Sequence, residues 1–110
     1  MKNLIHYLNE KDLHFKTLEE VQPKELGSRK KIGIYHSVTL DSDYYAIFIV
    51  ESKSRFLRKN ANDLMEMLQS LKSFKDHNYK HQMLVISSPL CSKAKALLED
   101  NNWRVENDTL

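Results

Sequence analysis

The chain has 110 residues, 41% of them hydrophobic and 29% charged, with a formal net charge of +2 at pH 7. That length suits one α/β domain spanning 1–110 around one core. The single cysteine, Cys91, excludes an internal disulfide and a cysteine-rich zinc framework, and a charge so near balance leaves any polyanion partner to be argued from local clusters.

No apolar run approaches the roughly 20 residues needed to cross a bilayer, and the N-terminus is too densely charged for a secretory core. A cytoplasmic protein with no membrane segment is the expectation. Residues 3 to 15 place Leu4, Ile5, Leu8, Asp12 and Phe15 at helical spacing, which predicts a first helix. EEVQPKELGSRKK, with Pro23 and Gly27, reads as a connecting loop with a short helical turn around Glu25. KIGIYHSVTL and YYAIFIVESKS are rich in β-branched and aromatic residues, and DSD between them is turn chemistry. Residues 31 to 53 are therefore predicted as an antiparallel hairpin. Folding it about Ser42 sets Glu51 opposite Gly33 and Lys53 opposite Lys31.

Near Arg55 the apolar period changes from two to about 3.6. Leu57, Ala61, Leu64, Leu68, Leu71 and Lys75, with Phe74 beside them, form one stripe, predicting a helix over residues 57 to 76 whose stripe is core. Met65 and Met67 read as gap-fillers beside it. HQMLVISS reads as a strand buried on both faces, and Ser88-Pro89 as the start of a third helix reaching about Asn101. WRVEN completes the set as a last strand. The order α-β-β-α-β-α-β implies a single mixed sheet, an antiparallel hairpin followed by βαβ, packed by helices.

Strand alternation puts Glu51 and Lys53 on one face. An apolar strand ending in Glu-x-Lys, after an antiparallel strand and before an amphipathic helix, resembles the core of PD-(D/E)xK nucleases. That superfamily has the restriction-endonuclease-like fold and includes Holliday junction resolvases. MLVISSPLCSKAKALLEDNNWRV is similar to the closing strand, helix and strand of several of them, so the resemblance spans about residues 30 to 107. It implies nucleic-acid binding and, where a second carboxylate completes the site, metal-dependent phosphodiester hydrolysis. In that scheme Glu51 ligates Mg²⁺, a hard cation that prefers carboxylate oxygens, and Lys53 orients water or steadies charge on the phosphate.

The second carboxylate is not supplied by the hairpin. Along one strand at about 3.3 Å per residue, Asp43 lies roughly 26 Å from Glu51, and Asp41 precedes it. Tyr35 and His36 are nearby polar residues, yet imidazole with one carboxylate is a poor Mg²⁺ set. Glu19, Glu20 and Glu25 are the acids that would have to reach in.

SKSRFLRK holds four bases, Lys53, Arg55, Arg58 and Lys59, around Phe56 and Leu57 at a helix start. Such a segment can hold phosphate by charge and by unpaired backbone N–H groups. Arg29, Lys30 and Lys31 start the paired strand and extend the patch toward DNA or RNA. Two simpler readings stand beside these: Glu51 and Lys53 as a weak exposed pair, and the bases as a solvated edge that discourages strand pairing. A small non-catalytic interaction subunit, binding a protein partner and no cofactor, is the alternative function. Cys91, in the first turn of the third helix near Lys93 and Lys95, has a dipole-lowered pKa as its one special feature and reads as packing. Trp103, Tyr44 and Tyr45 could stack bases but suit a sheet equally.

Overall fold

The computed structural model describes residues 15–26, 32–40, 42–50, 55–75 and 79–107. Five strands form one sheet in sequential order: β1 (Phe15–Val21), β2 (Gly33–Thr39), β3 (Tyr44–Val50), β4 (His81–Ile86) and β5 (Trp103–Asn107). β1, β2 and β3 are antiparallel neighbours, and β3, β4 and β5 are parallel. Parallel neighbours need crossovers, and these contain α1 (Arg58–Lys75) and α2 (Ser92–Asp100). The mixed sheet is as anticipated, with one change of order: the first described element is a strand.

The predicted helix over residues 3 to 15 lies outside the described residues except for Phe15, which opens β1. The pairing with β2 is irregular between Phe15 and Thr17 and regular from Thr17 to Val21, where side chains alternate between the two faces. Leu18 packs on one face of the sheet and Val21 on the other. Glu19 to Val21, the start of the stretch read as a loop, thus belong to a strand, and the helical turn expected around Glu25 is a 3₁₀ turn, Pro23–Leu26.

β2 and β3 form the hairpin, with a register that differs from the one expected. Gly33 faces Ile49 rather than Glu51, a slip of two residues. Its centre lies one residue before Ser42, midway between the paired Val38 and Tyr44. Thr39 N–H donates to the Asp43 carbonyl at 2.9 Å, Ser42 N–H donates to the Thr39 carbonyl at 3.0 Å, and Ser42 takes a left-handed φ of 67°. An even slip keeps every side chain on its predicted face. Gly33 also permits a close approach, since a Cβ there would stand 3.3 Å from Ile49 Cβ.

The core lies chiefly between the sheet and the two helices. Ile34, Ala46, Phe48, Val50, Leu84, Ile86 and Trp103 meet Ala61, Leu64, Met67, Leu68 and Leu71 of α1 and Ala94 and Leu98 of α2. Met67 is a core residue, while Leu57 and Phe74, assigned to the stripe, stay exposed. On the opposite face Ile47, Ile49, Met83 and Val85 are also buried, so β4 is covered on both faces as its unbroken apolar run requires.

Ser88 and Pro89 do not start the third helix. Pro89 carbonyl accepts the Phe56 N–H at 2.8 Å and Cys91 N–H donates to the Phe56 carbonyl at 3.0 Å, making a parallel Phe56–Leu90 bridge. This pairing holds the segment extended, and α2 begins at Ser92 with Cys91 as N-cap. Its end follows the sequence: Asn102, at φ 67°, takes the left-handed position after the cap, and Gln82 Nε2 donates to the carbonyls of Asn101 and Asn102 at 3.2 Å. No described helix is long and apolar enough to cross a membrane.

Candidate nucleic-acid interface

The carboxyl ends of parallel strands are where α/β sheets expose their connecting loops to ligands. Here that rim is built from the end of β3, the end of β4 and the segment leading into α1. Ser87 N–H donates to the Val50 carbonyl at 3.0 Å, tying the two strand ends together, and the Phe56–Leu90 bridge fixes the chain just before α1.

Arg55, Arg58 and Lys59 are all exposed at this place. The start of α1 leaves them there for local reasons. Phe56 is buried, which anchors the segment, and Leu57 N–H donates to Asn60 Oδ1 at 2.9 Å, one half of a capping box. Leu57 itself offers no side-chain acceptor to the first-turn amides. The first turn of α1 contains no acid, so bases and helix dipole carry the same sign there, an arrangement that favours a bound anion.

The other predicted site residues divide clearly. Glu51, Lys53, Arg29, Lys30 and Lys31 lie outside the described residues. By chain order, Glu51 directly follows Val50, the last residue of β3, and Lys31 precedes Ile32 and β2. The acids considered as a second carboxylate are placed elsewhere. Both oxygens of Glu19 accept from Lys75 Nζ, at 2.8 and 2.7 Å, and this holds its carboxyl below the ordinary range. Lys75 is the last residue of α1, about 26 Å along the helix from Arg58. Glu25 lies beside Gln69, Ser70, Ser73 and Phe74, also toward the far end of α1, and Glu25 Oε2 accepts the Gln22 N–H at 2.8 Å. Glu20 Oε1 accepts from Gln22 Nε2 at 3.2 Å. Among the described residues no group of three or more His, Cys, Asp or Glu side chains is placed to hold a metal ion. The described donor set does not fit Mg²⁺.

A polar cluster that the sequence did not announce lies on the helix-covered side of the sheet. His36, opposite Glu19 on β1, has its Nδ1 2.6 Å from the hydroxyl of buried Tyr79. The phenol donates in this bond when that ring nitrogen carries no proton. Burial pushes the Tyr79 phenol well up, with the Glu19 charge adding to it. Tyr44 approaches the same imidazole, with ring centres 5.9 Å apart. Tyr79 stands forty-three residues from His36, so only the sheet could bring the pair together. Tyr45 stacks on His81 at 4.6 Å, and Trp103 is buried against Phe48, which accounts for two of the aromatic residues as packing.

At the start of α2, the Cys91 thiol is lowered below its ordinary value. The backbone N–H groups of Ala94 and Lys93 lie near the sulfur without closing a cap hydrogen bond, and the charges of Arg55 and Lys93 act in the same direction.

No protein-family model matches the chain, and no curated protein does. Solved structures do match. The apo form of EndoMS overlaps 97% of this chain with a TM-score of 0.58 at 15% identity. A repair endonuclease from Pyrococcus abyssi overlaps 96% with a TM-score of 0.56 at 18% identity. At these identities the likeness is one of fold. This chain spans 45% of the length of each.

Proposed function

We propose that this chain is a DNA-binding domain of nuclease-like fold, gripping the phosphate backbone with Arg55, Arg58 and Lys59. The observation that carries the reading is the exposed basic start of α1, free of acids in its first turn and set at the carboxyl ends of β3 and β4. The likeness of fold to repair endonucleases supports DNA over RNA as the partner. Arg29, Lys30 and Lys31 enter the proposal as an extension of the same patch, and Glu51 with Lys53 as its acidic and basic rim. Binding does not require a metal, and no hydrolytic step is derived from the described residues.

Removing one phosphate-binding cation lowers the slope of log K against log salt by about 0.9 on duplex DNA. Replacing Arg55, Arg58 and Lys59 with Ala should therefore flatten the slope by up to ~2.7 and weaken binding to unrelated duplexes alike. A dissociation constant weaker than about 10⁻⁴ M at physiological salt for duplex, junction and single-stranded DNA would overturn the reading and favour a protein-interaction subunit. The same series tests the rim: any Mg²⁺-dependent cleavage disappears in Glu51→Gln while salt-sensitive binding is kept, and cleavage that survives the change removes Glu51 from the chemistry.

A further inference from the structure

The Phe56–Leu90 bridge is parallel, and both helices leave it two residues later, α1 at Arg58 and α2 at Ser92. Chains paired in this way lie about 4.8 Å apart and run in the same direction. The bridge thus delivers the starts of both helices to one rim, pointing the same way. Their buried faces share one core, through Ala61 and Leu64 on α1 and Ala94 and Leu98 on α2.

The charges at the two starts match. Neither first turn contains an acid. Lys93 and Lys95 are exposed on the two flanks of fully buried Ala94, as Arg58 and Lys59 are exposed on α1 and Arg55 just before it. The Arg55 charge is felt at Cys91, so the basic field of the α1 start reaches the α2 start. Five bases and two positive dipole ends repel one another in the free protein, and a polyanion relieves that repulsion. At the same rim Ser88, two residues before the bridge, is 3% exposed with a hydroxyl that has no hydrogen-bond partner among the described residues.

We infer that the DNA backbone gripped at the start of α1 continues across the start of α2, where Lys93 and Lys95 supply a second set of phosphate contacts. This rests on the DNA-binding reading above and extends it to an element that the basic cluster in the sequence does not include. A double-stranded backbone is the occupant that fits, because it presents a row of like charges long enough to meet both helix starts at once.

The test is the salt dependence of binding to one duplex DNA between about 50 and 200 mM salt, using the full chain. Lys93→Ala with Lys95→Ala should flatten the slope by up to ~1.8, and adding these to the triple α1 variant should flatten it further. Lys24→Ala with Lys72→Ala removes the same formal charge away from the rim and should leave the slope at the parent value. Lys93→Gln with Lys95→Gln should repeat the Ala result, and both lysines are exposed, so thermal melts should stay near the parent. A slope unchanged by the α2 variants while the α1 variant flattens it would end the interface at α1 and overturn this inference alone. Slopes unchanged by both sets would overturn the DNA-binding reading with it. An equal loss in the Lys24 and Lys72 variant would reduce the effect to net charge and also overturn the inference.

Discussion

Leu57 and Leu64 occupy equivalent positions of one apolar stripe, a heptad apart, yet the fold treats them differently: Leu64 is 0% exposed and Leu57 is 45% exposed. Leu64→Ala removes three carbons from a closed core. At about 0.8 kcal/mol per buried methylene the transfer loss is ~2.4 kcal/mol, and the cavity left between α1 and the sheet raises the cost to about 3–4 kcal/mol. Leu57→Ala removes the same carbons from a side chain nearly half in water and leaves no closed cavity, so about 1 kcal/mol or less is expected. Urea denaturation separates them. With an m-value near 1.5 kcal/mol per molar, Leu64→Ala should lower the midpoint by roughly 2 M and Leu57→Ala by less than about 0.7 M. Equal shifts for the two variants, or a loss below about 1 kcal/mol at Leu64, would refute the packing of α1 against the sheet.

Tyr79→Phe removes the 2.6 Å hydrogen bond to His36 without changing the ring that packs in the core, and equilibrium unfolding should show a loss of about 1 kcal/mol; no loss at all would mean that the bond adds nothing to stability. Glu19, held below its ordinary pKa chiefly by the hydrogen bond from Lys75, contributes stability that is fully present above its unfolded-state pKa and is lost as pH falls through the folded value. The pair is partly exposed, 22% at Lys75 and 53% at Glu19, so the contribution is at most about 1 kcal/mol and shrinks with added salt. Glu19→Gln should flatten the acid limb of a stability–pH curve, and a variant curve that parallels the parent at every pH would exclude the pair as its source.

The hairpin, α1, β4 and β5 follow from local patterns strong enough to survive any tertiary context. Val, Ile, Tyr and Phe in β3, the 3.6-residue stripe of α1 and the unbroken apolar run of β4 each have one stable way to bury their apolar surface. The double asparagine that ends α2 works in the same local way, with Asn102 taking the left-handed position. The basic residues of the candidate interface were also legible, since Arg55, Arg58 and Lys59 cluster in sequence and emerge together at a helix start.

Other features came from contacts between distant segments. Lys16 to Val21 shows no two-residue apolar alternation in the sequence, and it is a strand because β2 offers it a ladder. Ser88-Pro89 has the chemistry of a helix start, but the hydrogen bonds to Phe56 hold that segment extended and move the start to Ser92. Glu19 and Glu25 were free in the sequence to approach any site; the antiparallel ladder and the 3₁₀ turn place them toward the far end of α1. The union of the two basic helix starts could not be read from residues thirty-five apart, because it depends on one bridge between Phe56 and Leu90. Sequence periodicity sets which face of an element is apolar, whereas long-range hydrogen bonds decide which elements meet and therefore which charges share a surface.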